Sequence, residues 1–266
     1  MYIPYQEIVN QLELEEDDVL LIASDISKLA YNTFKNKEKF NSNFFVDSFK
    51  QKLKNGTLLF PAFVDNFKEG DIFDKYTTEP EMGALSKLTF ERVDFIRSSD
   101  PLHSFTVVGK YADDISEIKC KSTFGNDSVF AFLKEKKAKM LLIDIDLQHS
   151  FTFAHYVEEK FRVNYRKYTD INFKTINESG KLIDEKIHFY GKKNGIVNTL
   201  NKLEKLFIER GAMGKIEING CVFSLIYLES AYEIMKDDIQ NNKAINMYSF
   251  DFKEYVRSSI KSLLGK

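Results

Sequence analysis

The stretch Met140 to Lys160 reads Met-Leu-Leu-Ile-Asp-Ile-Asp-Leu-Gln-His-Ser-Phe-Thr-Phe-Ala-His-Tyr-Val-Glu-Glu-Lys and constrains the fold more than any other. Met140 to Ile145 is nearly continuous in apolar residues, the pattern of a strand covered on both faces of an α/β sheet. Gln148 to Phe151 reads as a turn. From Thr152 the period becomes helical: Thr152, His155 and Glu158 share one face, while Phe153, Tyr156, Val157 and Phe161 supply the apolar remainder. The pattern thus sets a threonine, a histidine and a carboxylate at the end of a sheet strand, the edge where open α/β sheets bind ligands.

This trio permits general-base catalysis, because a neutral imidazole with a pKa of about 6.5 accepts a proton near neutrality. Glu158, one turn along, can orient the ring and stabilise the imidazolium. Two other readings stay open on the local sequence. His155 and Glu158 fit an ordinary i,i+3 pair on a solvated helix. Alternatively, Asp144, Asp146, His149 and His155 are metal-ligand types, but no cysteine pairs and no His-Glu-x-x-His spacing accompany them, so no metal is expected.

With 266 residues, 43% hydrophobic and 29% charged, the chain has ample material for a core. Charges of both signs are interspersed and sum to −2, without the basic stripe or motif of a nucleic-acid binder. Cys120 and Cys221 lie far apart and suggest neither a disulfide framework nor a redox pair. The N-terminus lacks the pattern of a signal peptide, and no run approaches the roughly 20 apolar residues that span a bilayer. A cytoplasmic location is the expectation.

Residues 5–12 read as a short helix and Val19 to Ala23 as a buried strand. Ser24, Asp25 and Ser27 follow where strand gives way to helix, a place for a phosphate or amide-bearing ligand or simply for a helix cap. Phe45 to Leu53 reads as a helix ended by Asn55-Gly56, and Thr57 to Phe60 as a strand stopped by Pro61. Residues 62–78 form an irregular acidic and aromatic loop, in which Asp65, Glu69, Asp71 and Asp74 can receive a cationic substrate. Met82-Gly83 to Phe90 returns to helical spacing, and Thr106 to Val108 is a strand. Ile196 to Arg210 carries Val197, Leu200, Leu203, Leu206 and Phe207 at helical spacing before Gly211. Ile216 to Leu225 reads as a hairpin turning at Asn219-Gly220. Tyr227 to Asp237 and Phe252 to Leu264 read as closing helices.

In this order the motifs resemble the aminoglycoside 3-N-acetyltransferases and their antibiotic N-acetyltransferase relatives. The likeness runs through Asp18-Val-Leu-Leu-Ile-Ala-Ser24, Gly56-Thr-Leu-Leu-Phe-Pro61, Phe73-Asp74, Met82-Gly83-Ala-Leu85, and Arg97-Ser98 with Pro101, Ser104 and Gly109. It continues in Phe124-Gly125-x-x-Ser128 and is sharpest at Thr152-x-x-His155-x-x-Glu158, with weaker likeness through Gly180-Lys-Leu and Gly211-Ala-Met-Gly214 to about residue 240. It implies an N-acyltransferase using acetyl-CoA or another acyl-CoA, with His155 as base beside Glu158 and Thr152. It also implies coenzyme A along the Ser24 turn and the segment of Arg97, Ser98 and Ser104. The expected partner is a small-molecule amino sugar, with Asp65, Asp74 and His188 on the substrate side.

Two departures stand out. Relatives usually carry His-Ser-Ser where this chain has Ala23-Ser24-Asp25, and Arg-Ser-x-His-Pro where it has Arg97-Ser-Ser-Asp100-Pro101. An acid facing a phosphate is unfavourable there. Lys186-Ile-His-Phe-Tyr-Gly-Lys-Lys193 is basic and aromatic where aminoglycoside-modifying members are acidic, which favours an anionic, even nucleotide-linked, amino sugar over a polycationic antibiotic. Three functions therefore remain: acylation of such a sugar, aminoglycoside 3-N-acetylation conferring antibiotic resistance, and ligand binding without catalysis on the same fold. The expected architecture is a single domain over residues 1–266, allowing two lobes, folded as a three-layer α/β sandwich around a mixed, largely parallel sheet.

Overall fold

The computed structural model describes residues 2–177 and 180–263, with the side chains of 261–263 excepted. The strands are β1 (Val19–Ser24), β2 (Thr57–Pro61), β3 (Ile72–Phe73), β4 (Ile96–Arg97), β5 (Phe105–Gly109) and β6 (Lys139–Ile143). They continue with β7 (Arg166–Ile176), β8 (Leu182–Lys192), β9 (Ile196–Asn198), β10 (Met213–Ile218), β11 (Cys221–Tyr227) and β12 (Tyr248–Phe250). The helices are α1 (Ser27–Lys35), α2 (Ser42–Lys52), α3 (Ala84–Glu91), α4 (Ala112–Glu117) and α5 (Val129–Glu135). After them come α6 (Leu147–Ser150), α7 (Phe153–Lys160), α8 (Leu203–Glu209), α9 (Leu228–Asn242) and α10 (Phe252–Leu263). Residues 5–11 form a 3-10 helix.

Seven strands make the main sheet in the order β10-β11-β6-β1-β2-β5-β4. The sheet is mixed, as expected, but it is parallel only where β1 pairs with β6 and with β2. The remaining pairs are antiparallel, which corrects the expectation of a largely parallel sheet. The cause lies in the connections: β10–β11 is a two-residue hairpin at Asn219-Gly220, both with positive φ, and such a turn can only return the chain antiparallel.

The alternation of β1 shows the three layers. Val19, Leu21 and Ala23 join one core with residues of α5, α7, α8 and α9, including Leu133, Val157, Phe207 and Met235. Leu20 and Ile22 join the other with Leu29 of α1, Phe45 and Phe49 of α2, and Leu85 of α3. A strand buried on both faces needs apolar residues at every position, hence the unbroken Val-Leu-Leu-Ile-Ala run. The same holds for Met140 to Ile143.

A smaller sheet, β3-β7-β8, is built on the eleven-residue antiparallel ladder of β7 and β8. Val64, Phe67, Phe73, Phe173 and Ile187 give it a separate apolar cluster that ties the 62–78 loop to the hairpin. The segment from Ile196 to Arg210 is not one helix. Ile196 to Asn198 pairs with β12, a 3-10 turn follows, and α8 begins only at Leu203. Gly195, with φ +78, breaks any helix before it, and pairing with β12 outweighs the helical spacing of Val197 and Leu200. The expected turn at Gln148 to Phe151 is largely the short α6, capped by Asp146, whose side chain accepts from His149 N at 3.0 Å. Leu264, at the end of the last expected helix, lies outside the described residues.

Candidate active site

A cavity of about 370 Å³ opens at the carboxyl ends of β1 and β6. Its floor is Leu21, Ala23 and Met140 from the sheet, and Thr152 and His155 stand on one side. The β7–β8 hairpin closes another side with Arg166, Phe189 and Lys192, and Asn198 of β9 lies beside them. Phe63, His103, Phe124 and Phe130 form an aromatic wall.

His155 is held from behind. Its Nδ1 lies 2.7 Å from Glu158 Oε2, and the Glu158 side chain is fully buried. Tyr165 donates to Glu158 Oε1 at 2.9 Å, and Arg166 Nε lies 2.5 Å from Oε2. Arg166 Nε is out of line for a hydrogen bond, so this contact is a charge pair. Arg166 Nη2 reaches Asn198 Oδ1 at 3.1 Å and also sits 2.8 Å from His155 Nδ1. An arginine donates only, so two partners compete for Nδ1. The carboxylate is the one acceptor among them, and a proton on Nδ1 satisfies it. That tautomer places the lone pair on Nε2, which Arg166 Nη2 approaches only to 3.5 Å, where it can accept a substrate proton.

Burial lowers the His155 pKa, Arg166 lowers it further, and Glu158 opposes both. Burial by itself would raise Glu158, yet His155 and Arg166 outweigh it and the net shift is downward. At neutral pH the site therefore holds an unprotonated imidazole on an ionised carboxylate, which is the state a base requires.

Of the residues expected on the coenzyme side, Ser24 lines the cavity beside Gly83 and Ser86. A Cβ at Gly83 would stand 3.2 Å from the Ser24 carbonyl oxygen, so the α3 start and the Ser24 turn meet closely. Asp25 turns away, accepting from Ser27 N at 2.9 Å just before α1, and does not line the cavity. The expectation for Arg97, Ser98 and Ser104 is corrected. Arg97 is buried and donates to Ser104 Oγ at 2.9 Å, to Ala62 O at 2.7 Å and to Thr78 O. Phe73 and Phe90 cover its guanidinium, and burial lowers its pKa to about 10. Ser98 Oγ accepts from Phe105 N at 2.9 Å, and Ser104 Oγ donates to Ala62 O at 2.8 Å. Arg97 and Ser104 thus fix both ends of the 62–78 loop, and Ser98 ties β4 to β5.

On the substrate side only Asp65 reaches the cavity, at its mouth, with its pKa raised by desolvation and by Glu81. Asp74 instead closes a turn, accepting from Tyr76 N at 2.9 Å and Thr77 Oγ1 at 2.8 Å. His188 is also displaced from the expected role: its Nδ1 is 2.6 Å from Asp170 Oδ1, and its backbone pairs with Lys121 and Thr123. Asp100 does not line the cavity either. Buried, it accepts from Leu102 N and His103 N, both at 2.8 Å, and so fixes the loop that carries His103. The four metal-ligand types around Asp144 do not converge, and no metal-holding group of His, Cys, Asp and Glu occurs among the described residues.

Arg166, Asn198 and His103 were not found from the sequence, whereas Lys192 belongs to the basic segment Lys186 to Lys193 that the sequence marked. Arg166 looks like any cation in an alternating strand, and only the turn from α7 into β7, which folds the chain back over Glu158, gives it its role.

The fold and this site place the molecule among the N-acetyltransferases. Within that class the chain belongs to the aminoglycoside 3-N-acetyltransferase family, whose model matches residues 32–240. Solved structures of similar fold include AAC-IIIb in binary complex with CoASH, at 16% identity and TM-score 0.74, covering 89% of this chain and 95% of that one. AAC-VIa with bound sisomicin has 14% identity and TM-score 0.74 over 91% of this chain and 99% of that one. YokD from Bacillus subtilis has 17% identity and TM-score 0.72 over 92% and 96%. No curated protein matches the sequence. No helix among the described residues is long and apolar enough to cross a membrane.

Proposed function

We propose that this protein transfers an acetyl group from acetyl-coenzyme A to an amino group of an amino sugar, with His155 as general base. The observation that carries the reading is the Glu158–His155 pair, 2.7 Å apart, with the imidazole facing the cavity and the carboxylate sealed behind it. An amine that arrives as ammonium gives a proton to His155 Nε2 and then attacks the thioester carbonyl. The departing thiolate needs little assistance. Glu158 stabilises the imidazolium and Thr152 borders the amine. Ser24, beside Gly83 and Ser86, offers polar contacts for the pantetheine arm. The CoASH complex of AAC-IIIb supports the donor, and sisomicin in AAC-VIa supports an amino sugar as acceptor.

The acceptor we infer is anionic or neutral, most simply nucleotide-linked. Lys192 lines the cavity with no ion pair among the described residues, the Arg166 charge beside it is balanced by Glu158, and Asp65 is the one carboxylate among the described residues lining the cavity. Lys186 and Lys193 do not contribute, since Asp170 and the Asn164 carbonyl hold them. The second reading, aminoglycoside acetylation, is favoured by the family and by Asp65. Specificity constants for an aminoglycoside panel and a panel of nucleotide-linked amino sugars, at low and moderate salt, decide between them. Faster turnover of the aminoglycosides removes the anionic acceptor, and no coenzyme A thiol released with either panel removes the enzymatic reading.

A further inference from the structure

The acyl transfer needs a second group besides the base. When the amine attacks, negative charge develops on the thioester oxygen, and a donor must already be aimed at it. At the Ser24 and Thr152 turns most backbone donors are already used, and the start of α3 stands across the cavity at Gly83 beside Ser24. The N–H groups of Asp25, Thr152, Ala154 and His155 are donated to carbonyls, and that of Ser27 to the Asp25 carboxylate.

His103 differs from every other polar group of the wall. Its ring lines the cavity within an aromatic box, with centroids 4.6 Å from Phe63, 4.9 Å from Phe124 and 6.2 Å from a parallel Phe189. Phe124 in turn touches His155 at 5.4 Å, so the two imidazoles flank one phenyl ring on the same cavity. His103 Nδ1 is buried and has no hydrogen-bond partner. A buried lone pair without a partner is tolerated better than a buried N–H without one, which selects the tautomer protonated on Nε2. Nε2 is also the ring nitrogen not sealed from solvent. Desolvation and the neighbouring His155 hold the ring neutral, its pKa down to about 3.

We propose that His103 is a second catalytic residue, whose Nε2–H receives the thioester carbonyl oxygen and stabilises it as the oxyanion of the tetrahedral intermediate. The proposal rests on the acetyl-transfer reading above. The amine nitrogen, having lost its proton to His155, forms the new C–N bond while the carbonyl π pair moves to oxygen beside His103. Collapse restores the carbonyl, breaks the C–S bond and releases coenzyme A thiolate. Of the two protons still on the nitrogen, one leaves to solvent and the other stays as the amide N–H, while the proton held by His155 passes to the thiolate. His103 keeps its own proton throughout, and the Asp100 cap on His103 N fixes where that proton points.

The test uses the whole protein with acetyl-coenzyme A, and sisomicin and a uridine-diphosphate-linked 4-amino sugar as acceptors. His103→Phe keeps the aromatic box and removes the donor, and kcat is expected to fall about 100- to 1,000-fold with coenzyme A affinity and melting temperature near wild type. His103→Gln, which retains an N–H, is expected to recover part of that loss. A kcat within about threefold of wild type for His103→Phe, or a loss confined to KM, overturns the proposal. An independent readout is the ¹⁵N spectrum of His103 in the wild type, expected to show the neutral Nε2–H tautomer from pH 5 to 8 and to respond to acetyl-coenzyme A more than to coenzyme A. A cationic or Nδ1–H ring overturns the proposal even where neither acceptor is a substrate. A wild type inactive on both acceptors but with the expected spectrum counts against the acceptor reading and leaves the His103 donor supported.

Discussion

Arg166 Nε sits 2.5 Å from Glu158 Oε2 with both side chains almost fully buried, so the carboxylate behind the base is neutralised from the hairpin and not from its own helix. Two consecutive elements, α7 and β7, thereby share one charge balance across the short turn between them. Arg166→Leu should leave Glu158 as an uncompensated buried anion and cost about 3–5 kcal/mol of stability. Urea unfolding of wild type and variant measures it, and a loss below about 1 kcal/mol would mean that the pair is solvated in solution.

The same balance sets opposite pH signs for its two members. Arg166 pushes the His155 pKa down and Glu158 pushes it up. Removing the cation should therefore move the acidic limb of kcat/KM to higher pH, and Glu158→Gln should move it lower, with a reduced plateau in both. Limbs that coincide with wild type would take His155 out of the titrating step.

His155→Ala should lower kcat at least ~100-fold, the usual lower reach of general-base catalysis, while coenzyme A binding by calorimetry stays near wild type. The imidazole lines the cavity, and in the proposed reaction it meets the amine and not the coenzyme. Rates within a few-fold of wild type would return Glu158 and His155 to a structural pair.

How much of this was legible depends on whether the signal is local. Met140 to Lys160 gave up its strand and helix because burial on both faces and a 3.6-residue period are both written within a few residues. The Asn219-Gly220 hairpin was equally plain, since few other sequences accept positive φ twice in succession. Ile196 to Arg210 misled for the converse reason: its apolar spacing is helical, but β12, some fifty residues on, supplies a ladder that local spacing cannot show. Arg97 carried a motif and proved to be a brace for the loop, whereas Arg166 carried none and completes the site. Histidine 103 was hidden in the same way, because a cavity wall is assembled from loops whose meeting no period encodes.

Acid stability gives a check that needs no substrate. The unfolded chain protonates its histidines below about pH 6.5, while folded His103 stays neutral to about 3, so the unfolded state binds the extra proton and stability falls as pH drops through that window. Between pH 6.5 and 5 this one group should cost about 2 kcal/mol. Asp100, whose pKa burial raises, acts in the opposite sense, so the comparison is between wild type and His103→Phe under identical conditions. The variant should lose less stability over that interval, and parallel pH profiles would show that the ring is protonated in the fold.

Lys192 tests the charge of the acceptor at pH values above the His155 titration, where the base is neutral with or without it. It stands at the end of β8 on the cavity rim, exposed, and contributes a positive potential that helps hold His155 neutral. If the acceptor carries phosphate, Lys192→Ala removes a partner for it, and KM should rise about tenfold with little change in kcat, the mark of lost ground-state binding. The effect should shrink as salt is raised, because an exposed charge is screened within about 10 Å at 0.1 M. For a polycationic acceptor the same substitution removes repulsion, and KM should instead fall. The sign of the KM change thus separates a nucleotide-linked sugar from an aminoglycoside, and an unchanged KM for both would place the acceptor away from the β8 end and remove the charge-based preference.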